Sequence, residues 1–202
     1  MLALLTGCGA NTPDYQSILS TTTTATTSNT AKPEPISEYL QSVGVTGEPV
    51  RPDKLTDLAV TLLRPPGWEK YSNSNLAPGT EVIAKGDTYP TAMLMVFKLN
   101  GNFDVAEAIR HGYADAELSQ NFKRLNASTA DFRGFPSAMI EGSYDLNGTR
   151  MHSYNRIVFA TGSAPANQRY LVQLTVTTYA DQAAAQAADV ESVIAGFILA
   201  AK

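Results

Sequence analysis

The pair Asn147-Gly148 constrains this chain more than any other stretch. It separates two runs of alternating character, Ser137 to Leu146 and Thr149 to Ala160. Asn-Gly favours a two-residue type I′ turn, because both central residues must adopt positive φ. The flanking runs then form a β-hairpin whose register the short turn fixes. Asp145 falls opposite Arg150, Tyr144 opposite Met151, Ser143 opposite His152 and Glu141 opposite Tyr154. One face carries Ala138, Ile140, Gly142, Tyr144, Met151, Ile157 and Phe159 and is expected to be core. The other carries Glu141, Asp145, Arg150, His152 and Arg156 and is expected to meet solvent or to serve as a polar interaction surface.

Further strands are expected at Leu58 to Leu63, Glu81 to Ala84, Met93 to Leu99 and Tyr170 to Thr178, with a weaker one from Phe122 to Phe132. The first must stop at Pro65-Pro66, since proline donates no ladder hydrogen bond. Trp68, the only tryptophan, follows as a core or rim anchor. Both parities of Met93 to Leu99 are apolar except Lys98, the pattern of a central strand covered on both faces. Tyr170, Val172, Leu174 and Val176 share one face of their strand.

Three helices complete the set. Ile36 to Val43 has an apolar stripe of Tyr39, Leu40 and Val43, with Ser37 as a cap and Gly44 as the stop. Asp104-Val105-Ala106-Glu107 is a capping-box variant opening a helix from about Val105 to Leu118, weakened at Gly112. Asp181 caps a last helix, Gln182 to Ala195, with Ala183, Ala187, Val190 and Ile194 on its buried side. Most strand connections are hairpin-like. The expected fold class is α+β: a largely antiparallel sheet covered by helices.

The N-terminal region is of another kind. Leu5-Thr6-Gly7-Cys8 is the lipobox pattern of bacterial lipoproteins, and Cys8 is the only cysteine. A peptidase would cut after Gly7 and Cys8 would carry the lipid, which accounts for a lone thiol in an exported protein. Only seven residues precede Cys8, fewer than a basic n-region and an apolar h-region of about 7–15 residues require. Residues 1–7 are therefore expected to be the end of a longer signal peptide. Residues 8–35 form a leash: Ser20 to Thr30 is nearly all Ser and Thr, and Pro33 and Pro35 close it. Such a stretch buries too little apolar surface to offset its ordering entropy. Thr21, Thr22, Thr23, Thr24, Thr26 and Thr27 are candidate O-glycosylation positions. A plain linker explains the same residues. The single folded domain is expected over 36–202.

The 202 residues carry a net charge of −4, with no basic footprint for nucleic acid. At 44% hydrophobic content the chain can build a core, but no run reaches the roughly 20 apolar residues of a membrane span. Membrane attachment would come through acylated Cys8. His111 and His152 stand far apart with no metal-ligand spacing, and there is no Gly-rich phosphate loop, so neither metal nor cofactor is expected. Ser143, His152, Asp145 and Glu141 are the nearest approach to a nucleophilic set. Neighbours on a regular strand pair offer no oxyanion hole, and a polar solvent face explains them better. Glu107, Asp115 and Glu117 read as the solvated face of their helix.

Several longer segments are more specific. Leu40-x-x-Val43-Gly44-Val45-Thr46-Gly47-Glu48-Pro49-Val50, Pro65-Pro66-Gly67-Trp68, Tyr89-Pro90-Thr91-Ala92-Met93-Leu94-Met95-Val96-Phe97-Lys98-Leu99, and Gly134-Phe135-Pro136 through Gly142-Ser143-Tyr144-Asp145-Leu146 resemble the LpqN/LpqT lipoprotein family of mycobacteria. The resemblance implies a Mog1/PsbP-like α/β/α sandwich and a lipid-anchored protein at the outer face of the cell membrane. It implies no established catalytic activity. Cys8, with Leu5, Thr6 and Gly7 as its recognition context, is the one feature it carries over residue by residue. The expectation is a non-enzymatic, monomeric envelope lipoprotein whose domain binds an envelope protein or a mycolate-type glycolipid. A hydrolase or transferase using the polar hairpin face, and a lipid carrier with an apolar cavity, are the alternatives.

Overall fold

The computed structural model describes residues 32–72 and 75–202. Cys8, its lipobox and the leash threonines lie outside the described residues.

The hairpin is the centre of the fold. Asn147 and Gly148 have φ of 50° and 79°, and β7 (Ser137–Leu146) pairs with β8 (Thr149–Thr161) in the expected register, Ser143 opposite His152. Beyond β8 lies β9 (Arg169–Tyr179), then β5 (Thr91–Asn100). One edge of β5 is shared. β4 (Glu81–Ala84) pairs with its first half, β1 (Thr46–Pro49) with its second. β3 (Glu69–Tyr71) extends from β4, and β6 (Lys123–Ser128) closes the other side against β7. All these pairings are antiparallel.

A second sheet has two strands, β2 (Leu58–Leu62) and β10 (Phe197–Ala201), also antiparallel. With α4 (Ala187–Ala195) it contributes Val60, Val193, Phe197 and Leu199 to a core completed by Leu94, Val158, Val172 and Leu174 of the large sheet. Trp68 is 4% exposed in the same core, where its Nε1–H has no partner among the described residues. The opposite face of the large sheet is covered at one end by α1 (Ile36–Ser42) and α2 (Val105–Arg110). Ile36, Tyr39, Leu40 and Ile109 pack there on Leu99, Ile157, Phe159 and Leu171. The short α3 (Ala114–Glu117) follows. The architecture is an α+β sandwich, as expected.

Several expectations need correction. The hairpin's second face is not a solvent face: Met139, Tyr154 and Val158 are buried beneath the small sheet. The expected helix from Val105 to Leu118 is two helices. Its break has a packing cause, because a methyl group on Gly112 would lie 2.4 Å from Ala138 Cβ of β7. Only a residue without a side chain lets the turn press that close to the sheet. Asp104 does cap α2, accepting from the N–H groups of Ala106 at 2.8 Å and Glu107 at 3.2 Å. Ser37 does not cap α1; Pro35 holds that position, with no side-chain cap bond. The last helix begins at Ala187 and not Gln182, with Val193 as its buried residue; Val190 and Ile194 pack at its margin. The weak strand is confined to Lys123–Ser128. Strands β1, β3 and β10 were not expected.

Candidate functional site

Strand β5 explains where a site can form. Ala92, Leu94 and Val96 are buried toward the small sheet, while Met93, Met95 and Phe97 on the other face are only half covered. The apolar run suggested cover on both faces; α1 and α2 reach only one end of the second. The remainder is an open groove of about 470 Å³ between the sheet and the α1 and α3 segments. Ile36 and Leu40 of α1 form one wall, and Met95, Phe97, Ile157 and Leu171 form apolar floor and flank.

The centre of that floor is polar and uncharged. Gln173 stands opposite both Met95 and Ile157 in the ladder. Beside it Thr175 Oγ1 donates to Asn155 Oδ1 at 3.0 Å, and Asn155 Nδ2 donates to Ser153 Oγ at 3.1 Å. Such a floor can exchange hydrogen bonds with hydroxyl or amide groups while the walls accept hydrocarbon.

Asp115 stands at the exposed rim. The apolar surroundings push its carboxyl above the ordinary aspartate range, a hydrogen bond with the Ile36 backbone opposes that rise, and the Glu38 charge adds to it. Asp115 was expected on a solvated helix face together with Glu107 and Glu117. Those two do pair locally: Glu107 with Arg110 at 3.3 Å, and Glu117 with Arg124. Arg156 borders the groove too, but its guanidinium serves the opposite face. Nε donates to Tyr154 Oη at 2.6 Å, Nη1 donates to Ser137 Oγ at 3.0 Å, and the group lies 4.6 Å over the Phe132 ring.

The polar hairpin residues come together in a way that separates the nucleophile from the base. His152 Nε2 lies 3.0 Å from Glu141 Oε1, whereas Ser143 Oγ accepts from Arg150 Nη2 at 2.7 Å. Arg150 also donates to Asp145 Oδ1 at 2.9 Å, and Asn121 Nδ2 donates to the other Asp145 oxygen at 2.7 Å. These bonds hold the Asp145 carboxyl below the usual range, the Asn121 bond first and then Arg150. The arrangement is one pair, His152–Glu141, and a separate network of Ser143, Arg150, Asp145 and Asn121, with no Ser–His–acid relay. Among the described residues no group of three or more His, Cys, Asp or Glu could hold a metal ion, and no helix is long and apolar enough to cross a membrane.

Sequence reasoning offered an apolar cavity only as an alternative and did not locate this groove. Its signal was present as apolar Met95 and Phe97 on the parity opposite the core, beside polar Asn155 and Gln173 in the middle of long central strands.

A mostly antiparallel α+β sandwich with an amphipathic groove is what this fold and site define. The family model described as "Probable lipoprotein LpqN" matches residues 32–200, and the chain belongs to that lipoprotein family. It is 61% identical over 197 residues to LpqT of Mycobacterium tuberculosis, covering 96% of this chain and 87% of that one. LpqT of Mycobacterium leprae is 54% identical over 195 residues, covering 96% and 89%. The crystal structure of LpqN, involved in cell envelope biogenesis of Mycobacterium tuberculosis, superimposes with a TM-score of 0.72 at 18% identity. The match covers 84% of this chain and 99% of LpqN and shows the shared fold.

Proposed function

We propose that this protein is a lipid-anchored, non-enzymatic component of the cell envelope, at the outer face of the cell membrane. Its folded domain binds the apolar part of a mycolate-type glycolipid. The groove carries the reading: about 470 Å³ of space with hydrocarbon walls and a floor of amide and hydroxyl groups suits a ligand that is apolar along one side and polyhydroxylated on the other. The envelope setting is supported by the involvement of LpqN in cell envelope biogenesis and by membership of a lipoprotein family. The separated hairpin pairs argue against a hydrolase built on Ser143 and His152.

Filling the groove should abolish uptake. Gln173→Trp places an indole on the floor at a half-exposed position, so folding should survive while affinity for a mycolic-acid ester of a disaccharide falls at least about tenfold. Titration calorimetry on both forms, with urea unfolding as the control, measures this. Equal affinity in a folded variant would place binding elsewhere.

The anchor is tested separately. Acyl chains contribute about 0.8 kcal/mol per buried CH₂, so a multiply acylated Cys8 holds firmly. In cells expressing the gene with its native upstream sequence and fed an alkyne-labelled fatty acid, the wild type should take up the label and Cys8→Ala should not. Labelling of the variant would remove Cys8 as the acylated residue.

A further inference from the structure

We infer that the groove selects uncharged amphiphiles against anionic ones, and that Asp115 is the residue that rejects the anion. The inference rests on the groove-binding reading above and specifies its ligand class. Among the described residues lining the groove, Asp115 is the only carboxylate. Arg156 is the only cation among those described residues, and its guanidinium is engaged on the far face by Tyr154, Ser137 and the Phe132 ring. The remaining polar groups of the floor are neutral: Asn155, Gln173 and Thr175. Among the described residues, no positive charge is therefore positioned to receive a phosphate, sulfate or fatty-acid carboxylate. One negative charge stands at the rim, with Glu38 near enough to reinforce it.

The physics of exclusion is asymmetric. An anion entering would leave the water that solvates it and meet a like charge beside apolar walls, where screening is weaker than in bulk. A sugar, glycerol or amide headgroup meets no such penalty, because amide and hydroxyl side chains can replace its water bonds one for one. Rejection by an unfavourable charge is a route to specificity that leaves affinity for the accepted ligand intact. The turn that carries Asp115 is anchored by Gly112, which is pressed on Ala138.

Two probes with the same chain and different heads make the test: n-octyl β-glucoside and n-octyl sulfate, each below its micelle threshold. Titrations use the folded protein and its Asp115→Asn variant, in which the side-chain amide oxygen can still accept from Ile36. The wild type should bind the glucoside at least about tenfold more tightly than the sulfate. The variant should gain about five- to tenfold for the sulfate relative to the glucoside, and the gain should shrink in high salt. Equal binding of both probes by the wild type would overturn the inference while leaving the groove as a binding site. An unchanged ratio in a folded Asp115→Asn protein would likewise remove Asp115 from the role. Binding of neither probe would overturn both the inference and the reading on which it rests. Asp115→Glu, which keeps the charge, should retain the discrimination; its loss there would show that shape and not charge decides.

Discussion

Phe197→Ala should lower the unfolding free energy by about 3–5 kcal/mol, the cost of removing a fully buried aromatic ring. Phe197 is 0% exposed and belongs to β10, which pairs it with Leu62 of β2. Its ring stacks on Phe132 with centroids 5.1 Å apart and planes 13° from parallel. Phe132 is not free to swing into the space. Its backbone is bonded to Phe135 in both directions, at 2.8 and 3.0 Å, and Arg156 lies over its ring. The cavity would therefore stay largely open, which places the substitution toward the upper end of the range. Urea unfolding should show a lower midpoint with an unchanged slope. A loss below about 1 kcal/mol would mean that the two-stranded layer is dispensable to the large sheet.

Tyr170 governs the second large effect. Its hydroxyl donates to Asp57 Oδ1 at 2.8 Å, and Asp57 Oδ2 is buried without a partner among the described residues. The carboxylate fits because Gly162 has no side chain; a methyl there would lie 2.0 Å from Oδ2. Burial first, then the bond to Asp57 and its charge, push the Tyr170 hydroxyl up to about 12 from 10.0. A raised folded value means the folded state holds its proton more tightly than the unfolded chain. The contribution is fully present below about pH 10 and is lost as pH rises to about 12, amounting to about 2–3 kcal/mol. Tyr170→Phe should flatten that part of the alkaline limb. At neutral pH it should cost about 1–3 kcal/mol, because Asp57 would then keep no side-chain donor among the described residues for either oxygen. Tyr39, Tyr113, Tyr144 and Tyr154 are also raised by burial, so some alkaline loss should persist in the variant. Urea midpoints from pH 7 to 11 decide the matter. Parallel curves for the two proteins would show that Tyr170 is not the group responsible.

These two positions mark where sequence reading ends. The face containing Tyr170 was legible because alternation along β9 is a local property of the chain. That its hydroxyl meets Asp57, 113 positions away, was not, since nothing near either residue encodes the pairing. β10 escaped notice for a related reason. Phe197 to Ala201 follows the last helix with only Gly196 between them, and a five-residue apolar stretch there reads equally as helix continuation or tail. It becomes a strand because β2 offers a free edge and the sheet beneath offers apolar surface. Burial on the hairpin's polar face has the same origin: the small sheet and the Phe132–Phe135 turn cover residues that alternation alone assigned to water.

The sequence by itself determined the hairpin, its register and the alternation of the central strands. Turn chemistry and the two-residue period act over neighbours, and Asn147-Gly148 leaves little choice of pairing. It also determined the α+β class and, through the longer matching segments, the lipoprotein family. Only the tertiary structure decided which apolar faces stay uncovered. Helices α1 and α2 are too short to blanket the sheet, so Met95 and Phe97 end as groove lining and not as core. Gly112 lets the turn between α2 and α3 settle against β7 and brings Asp115 to the rim. A groove is a deficit of packing between distant elements, and a deficit leaves no periodic mark on the chain.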